Sequence, residues 1–231
     1  MKNQLIFGFI ITCIWFLSAC KKDEKNSNLI EDSSLAYFPI DSGLTRYYQI
    51  DSVYWDEFAH IRDTINYQLK EVIAGSFIDL EGRKVQRIER FKLNLQGQWI
   101  IFSVGTSYRN HQKAESVENN VRILKLVFPA TLGISWNGNI YNFKNPQCFE
   151  YLSVGVPDTT EFYQLHETIK VQEDNEPSNN ISDLYGEERY AKNIGMYYRI
   201  ISDLKFQPSV PPNKDTIAGY IYTEKLTAYT P

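Results

Sequence analysis

From residue 46 onward, hydrophobic and polar positions repeatedly alternate along the chain. Successive side chains of a strand point to opposite faces, so this alternation predicts strands. In 46–54, RYYQIDSVY, Tyr48, Ile50 and Tyr54 share a face. In 64–70, TINYQLK, Ile65, Tyr67 and Leu69 face one way, and the pattern shifts at Glu71-Val72, a bulge or strand end. In 162–171, Tyr163, Leu165, Ile169 and Val171 alternate with Gln164, His166, Thr168 and Lys170. In 217–226, Tyr220, Tyr222 and Leu226 line up. Further strands are expected at 84–93, 98–107, 121–128, 139–144, 148–154 and 196–202. The segments Leu80–Arg83 and Leu95–Gln98 read as hairpin turns, each with a glycine. Trp136-Asn137-Gly138-Asn139 reads as a tight turn, because Asn and Gly both tolerate positive φ.

Helical periodicity is scarce. After residue 36 no stretch sustains it for three turns; 181–192 is the one candidate, with Ile181, Leu184 and Tyr185 on a common face. Tyr, Phe, Ile and Val at strand positions favour antiparallel sheet with one wetted face. The pattern therefore predicts a mainly β fold: one domain of antiparallel strands, spanning 36–231, in a strongly curved sheet, an open barrel or a sandwich, with little helix.

The N-terminus has a different pattern. Lys2 precedes LIFGFIITCIWFL, an uncharged run from Leu5 to Leu17. A helix needs about 20 apolar residues to cross a bilayer core, so this run is too short. Its length and the small residues after it suit a secretory signal at 1–19. Residues 21–34, KKDEKNSNLIEDSS, hold two apolar side chains, too few to offset chain entropy. They read as a flexible tether over 20–35.

Charge and composition narrow the activities. The formal net charge is −4 and becomes one unit more negative if Lys2 leaves with the signal. An acidic chain repels phosphate backbones, so no nucleic-acid partner is expected. Of three cysteines, Cys148 alone lies in the domain, where it reads as a small buried hydrophobe. His60, His111 and His166 are scattered, and His166-Glu167 lacks the second histidine of a zincin helix, so no metal or cofactor is expected. There is no nucleophile elbow and no phosphate-binding glycine loop. The acidic run Gln172–Glu176 reads as a solvated loop before Pro177. Asp56-Glu57 and Glu187-Glu188 read as surface charges, leaving no catalytic residue assigned. Trp55, Trp99 and Trp136 are the candidate ligand contacts, since indole rings stack on sugars and pack on apolar chains; for Trp136, a core cap beside its turn is the default.

Several segments carry a resemblance. Leu17-Ser18-Ala19-Cys20 resembles the lipobox of bacterial lipoproteins. That resemblance implies cleavage before Cys20 and acylation of Cys20, which ties the domain to a membrane. Cys20-Lys21-Lys22-Asp23-Glu24 resembles the export signal of Bacteroidota-type surface lipoproteins, which implies display on the outer membrane, with a periplasm-facing attachment as the alternative. YFPIDSG at 37–43, VFPATLGISWNGNIYN at 127–142 and ERYAKNIGMYYR at 188–199 look like segments of small cell-envelope lipoproteins of the same group; they carry structural motifs and no activity. Asp-Ser/Thr-apolar steps resemble that group's O-glycosylation acceptor, which implicates Ser52, Thr64, Thr159 and Thr216.

The expected function is thus a lipid-anchored envelope protein with a non-catalytic binding or scaffolding role. Its expected partners are the membrane, through the lipid, and a carbohydrate, a lipid or an envelope protein. A surface glycan hydrolase and a periplasm-facing lipid carrier are the alternatives. Two buried carboxylates about 5–10 Å apart in a cleft would favour the hydrolase.

Overall fold

The structure is a computed structural model that describes residues 33–176, 181–208 and 214–231. The signal segment, Cys20 and the tether up to residue 32 lie outside the described residues. Among the described residues a 3-10 turn, Ser33–Tyr37, precedes twelve strands. They are β1 (Thr45–Asp56), β2 (Ile61–Ile78), β3 (Lys84–Leu93), β4 (Trp99–Arg109), β5 (Lys113–Glu118) and β6 (Val121–Val127), then β7 (Ser135–Asn137), β8 (Cys148–Thr159), β9 (Gln164–Glu176), β10 (Ser182–Ala191), β11 (Gly195–Pro208) and β12 (Lys214–Thr230).

All twelve form one antiparallel sheet in the order β6-β5-β4-β3-β2-β1-β12-β11-β10-β9-β8-β7. Every neighbour is consecutive in the chain except β1 and β12. Large twisted sheets tend to curl, and here the edge strands β6 and β7 come together to make a nearly closed barrel. The seam is narrow: Leu124 N donates to Gly138 O at 2.8 Å, Trp136 Nε1 to Leu124 O at 2.9 Å, and Asn142 Nδ2 to Arg122 O at 2.8 Å. Tyr151 Oη closes it further by donating to Val127 O at 2.7 Å.

Strand lengths are unequal. β2 has 18 residues and β12 has 17, whereas β5 has 6 and β7 has 3. β3 pairs with β2 only from Leu69 onward, and β5 pairs with β4 only from Thr106 to Arg109. Ile61–Gln68 of β2 thus extends past the β3 ladder while staying paired to β1, and Trp99–Gly105 of β4 extends past the β5 ladder while staying paired to β3. They stand at the end opposite the entry of the chain, and make that end an open, oblique mouth.

The entry end is plugged. Leu35 and Tyr37 of the 3-10 turn insert among Leu126, Phe149, Tyr151, Ile169, Val171 and Tyr190. Burying each such side chain contributes about 1.5–3 kcal/mol. Arg109 Nη1 donates to Leu35 O and Phe38 O at 2.7 and 3.0 Å, and Asn193 N to Ala36 O at 2.8 Å. Ser34 and Leu35, which sequence places in the tether, are buried, Leu35 as part of the core. A second cluster joins Tyr48, Ile50, Leu69 and Leu226 to Leu165, Ile194 and Tyr197.

Other expectations change. The segment expected as a helix is strand β10, paired on both sides by β9 and β11, and two ladders outweigh a weak local periodicity. Residues 139–144 are turns, not strand, because Asn137, Asn139 and Asn142 side chains bond the local backbone. The strand lies instead at Ser135–Asn137, and Gly138 keeps negative φ; its lack of a Cβ leaves room for the Phe149 ring. β2 continues through Glu71-Val72 and bulges later, between Ile73 and Gly75. β5 is a strand that alternation of hydrophobicity does not predict, because its apolar residues are few and its charges many. Gln172–Glu176 is the end of β9 rather than a loop. Cys148 is exposed, since it alternates with buried Phe149.

Candidate functional site

The barrel interior is charged. Strand alternation places Arg46, Glu71 and Arg90 side by side on β1, β2 and β3, and Glu224, Arg199 and Glu188 side by side on β12, β11 and β10. These are two cross-strand ladders of alternating sign, the favourable arrangement on a sheet face. Arg46 Nη2 lies 2.6 Å from Glu71, Arg90 Nε 3.2 Å from Glu71, and Arg199 Nε 3.2 Å from Glu188. Arg90 reaches across the lumen to Glu224 and joins the ladders. Lys125 of β6, itself buried, contacts Glu188 at 2.7 Å, Glu173 at 3.4 Å and Glu118 at 3.5 Å. Arg199 also reaches Glu118 at 3.1 Å. Tyr190 and Tyr222 donate their hydroxyls to Glu188 and Glu224.

Burial and charge compete at each group. Burial pushes the Glu118 and Glu188 carboxyls up, but Lys125 and Arg199 outweigh it, so both stay below the usual carboxylate range, Glu118 well below. Burial pushes Lys125 down, and Glu118, Glu188 and Glu173 outweigh that, so its ammonium is held charged. Glu173 goes the other way: burial, reinforced by the charge of Glu188, pushes it up to about 7. Among the described residues the network thus brings together four cations (Arg46, Arg90, Lys125, Arg199) and five carboxyls (Glu71, Glu118, Glu173, Glu188, Glu224), of which Glu173 is pushed up by burial and Glu188.

A cavity of about 140 Å³ borders this network. Its floor is Phe38 and Pro39 behind the plug; one wall is the charged ladders, and the other is Ser103, Gly105 and Ser107 of β4 with Ser116 of β5. Toward the mouth it reaches Phe102 and Asn119. Phe102 is the extra residue of a bulge, packs on Tyr67 and is 56% exposed. Beyond it the inner face of the long strands is open and carries the exposed side chains of Ile100, Ile65, Tyr54 and Tyr220, with Lys92 between Ile100 and Leu69 and Asp63 opposite Tyr54.

The three tryptophans are not brought together, and none lines the cavity. Trp55 is half-buried on the outer face of β1, 5.5 Å from the Arg62 guanidinium. Trp99 is half-buried against Tyr47 and Lys70, also outside. Trp136 packs edge-on to Phe149 and against Tyr151 in the core. Among the acceptor candidates, Thr64 and Thr159 are exposed; Ser52, on the inner face beside Tyr222, and Thr216 are half-buried. Glu187 and Glu188, which sequence reads as surface charges, are both buried. Glu188 faces the lumen and Glu187 the outside, beneath Lys170 and Arg189.

No protein-family model and no curated protein matches the sequence. Among solved structures, one similar chain is a Bacteroides fragilis protein described as exported, with a YmcC-like fold; TM-score 0.46, identity 11%, covering 84% of this chain and 98% of that one. Another is a Parabacteroides distasonis protein described as a lipoprotein; TM-score 0.44, identity 12%, with the same coverages.

Proposed function

We propose that the chain is a lipid-anchored, non-catalytic protein of the cell envelope that binds a ligand through the open end of its barrel. The address rests on the lipobox resemblance at Leu17–Cys20. The lysines and acids after Cys20 favour the outer face of the outer membrane. One observation carries the binding role: Phe102 belongs both to the wall of the charged cavity and to the open inner face. A concave, mostly apolar surface leading to a few convergent polar groups is what ligand sites share. Contiguous exposed apolar area on a soluble body marks a contact surface.

The hydrolase reading has one observation in its favour. Glu173 and Glu188 have opposite protonation tendencies, as the acid and base of a glycosidase do. Glu173, however, does not line the cavity. The glutamates that do include Glu118 and Glu188, both held ionised, so neither offers a sugar a proton. Binding is the better account.

The test uses residues 21–231, which contain the compact unit Asp32–Pro231. Nile red, an uncharged apolar dye, is expected to bind with blue-shifted emission at about one site per chain. Phe102→Ser and Ile65→Ser are expected to abolish this without lowering the thermal midpoint. Undiminished binding by both variants would reject the open end as the site.

A further inference from the structure

We infer that the ligand of the open end is a single-chain amphiphile with a carboxylate head. The head enters the cavity beside Arg46 and Ser107, and the chain lies along Phe102, Ile100 and Ile65. This rests on the binding role proposed above and adds the class of ligand.

The head group follows from what the cavity wall lacks. Arg46 Nε and Ser107 Oγ are buried there without a hydrogen-bond partner in the protein. The Nε atoms of Arg90 and Arg199, also on the wall, sit 3.2 Å from Glu71 and Glu188 but make no hydrogen bond. All four groups can donate. The acceptors among the described residues that make no hydrogen bond, Gln86 Oε1 and Glu115 Oε1 (the latter ion-paired to Lys113), belong to residues off the wall. A buried donor without an acceptor is costly, so the wall calls for a group that accepts several bonds. A carboxylate offers two oxygens with about four lone-pair sites and no donor. Size agrees: about 140 Å³ is close to the roughly 150 Å³ of a cavity that accepts benzene, enough for a carboxylate and its first carbons.

The chain follows from where the cavity opens. Ile100 pairs with Lys92 and Lys92 with Leu69, so Ile100 stands on the same inner face as Leu69 and, by alternation, Ile65. Both isoleucines are about half exposed, and they continue the surface that Phe102 begins. A methylene chain laid on them removes apolar area of protein and ligand from water together.

Calorimetric titration of residues 21–231 with laurate, dodecanol and dodecyltrimethylammonium tests this. Laurate is expected to bind one-to-one, dodecanol about tenfold more weakly, since it loses charge-assisted hydrogen bonds, and the cationic amphiphile more weakly still. Arg46→Gln is expected to weaken laurate about tenfold and leave dodecanol unchanged. Arg46 also holds Ile194 O and Glu71, so Ser107→Val, which removes the hydroxyl and fills the space, serves as a second variant, with thermal unfolding as the check on folding. Equal affinity for laurate and dodecanol, or laurate binding unaltered in both variants, overturns the carboxylate head but leaves the binding role intact; a cavity that holds only water gives that result. Nile red binding without binding of any amphiphile overturns the ligand class. Loss of every ligand, dye included, removes the binding role itself.

Discussion

Arg90 of β3 and Glu224 of β12 meet across the lumen, although two strands separate theirs in the sheet. Glu224 is fully buried, and its contact with Arg90 is the link between the two charge ladders. Removing one partner of a buried pair leaves an uncompensated charge and typically costs about 3–5 kcal/mol. Arg90→Met is therefore expected to destabilise by that amount in urea unfolding. Arg90→Met with Glu224→Gln is expected to cost less than the sum of the single changes, with a coupling of about 1–3 kcal/mol. Strict additivity would mean the two side chains do not interact in solution.

Glu173 gives the network a pH dependence of unusual sign. Its folded carboxyl is raised from 4.5 to about 7 by burial and then by Glu188. It faces Lys125 from β6, Glu188 from β10, Arg199 from β11 and Glu118 from β5. Between those values the folded chain keeps a proton that the unfolded chain has released, so this group's contribution falls as pH rises. Glu118 and Glu188, held low, contribute stability above 4.5 that is lost as pH falls through their depressed values. Glu173→Gln is expected to gain stability relative to the parent between about pH 5 and about pH 8, read as a shift in urea midpoint. A constant difference across that range would show that Glu173 is ionised throughout.

The ladders were legible in the sequence, had charge been tracked along the same period as hydrophobicity. Arg46 is in phase with Tyr48 and Ile50, Glu71 with Tyr67 and Leu69, and Glu224 with Tyr222 and Leu226. A charge on the apolar face of a strand has to find a partner inside, and these do. Glu187-Glu188 misled for the same reason: adjacent strand residues point to opposite faces, so one acid entered the lumen and the other lay beneath cations outside.

Strand character was legible wherever alternation was clean, as in β1, β3 and β12. Closure was not, because it depends on contacts between β6 and β7 that no local pattern encodes, such as Trp136 Nε1 bonding Leu124 O. The cavity was hidden too. Phe102 reaches its wall from a bulge, where the extra residue breaks the alternation used to assign faces.

Gly195 couples the entry turn to the lumen. It sits at φ +87°, and a Cβ there would overlap Arg46 Nη1, which donates to Ile194 O at 3.2 Å. Gly195→Ala combines a left-handed strain of about 1–3 kcal/mol with displacement of Arg46. Chemical denaturation is expected to show at least that loss, and laurate affinity is expected to fall along with it. A variant as stable as the parent, with unaltered binding, would mean that the turn relaxes without moving Arg46.

If sugars are attached, accessibility ranks the acceptors. Thr64 and Thr159 are exposed, whereas Ser52 is half-buried on the inner face beside Tyr222. A bulky glycan is compatible with the first two and would obstruct the mouth at the third. Intact mass and peptide mapping of protein from the native host are expected to find modification at Thr64 or Thr159. A mass equal to the bare lipidated chain would remove glycosylation altogether.

The anchor makes the remaining expectation. Each buried methylene contributes about 0.8 kcal/mol, and stable attachment takes more than one chain, as acylation of both the thiol and the new amino terminus at Cys20 would supply. Among the described residues no helix is long and apolar enough to cross a membrane. Cys20→Ser is expected to leave the membrane pellet of fractionated cells and lose the mass added by acyl chains, while Nile red binding by the domain is retained. Labelling of intact cells with an impermeant amine reagent then separates the two placements, since a surface protein reacts before lysis and a periplasm-facing one only after it. A serine variant that pellets as the parent does would mean that the protein reaches its membrane by its outer surface rather than by a lipid.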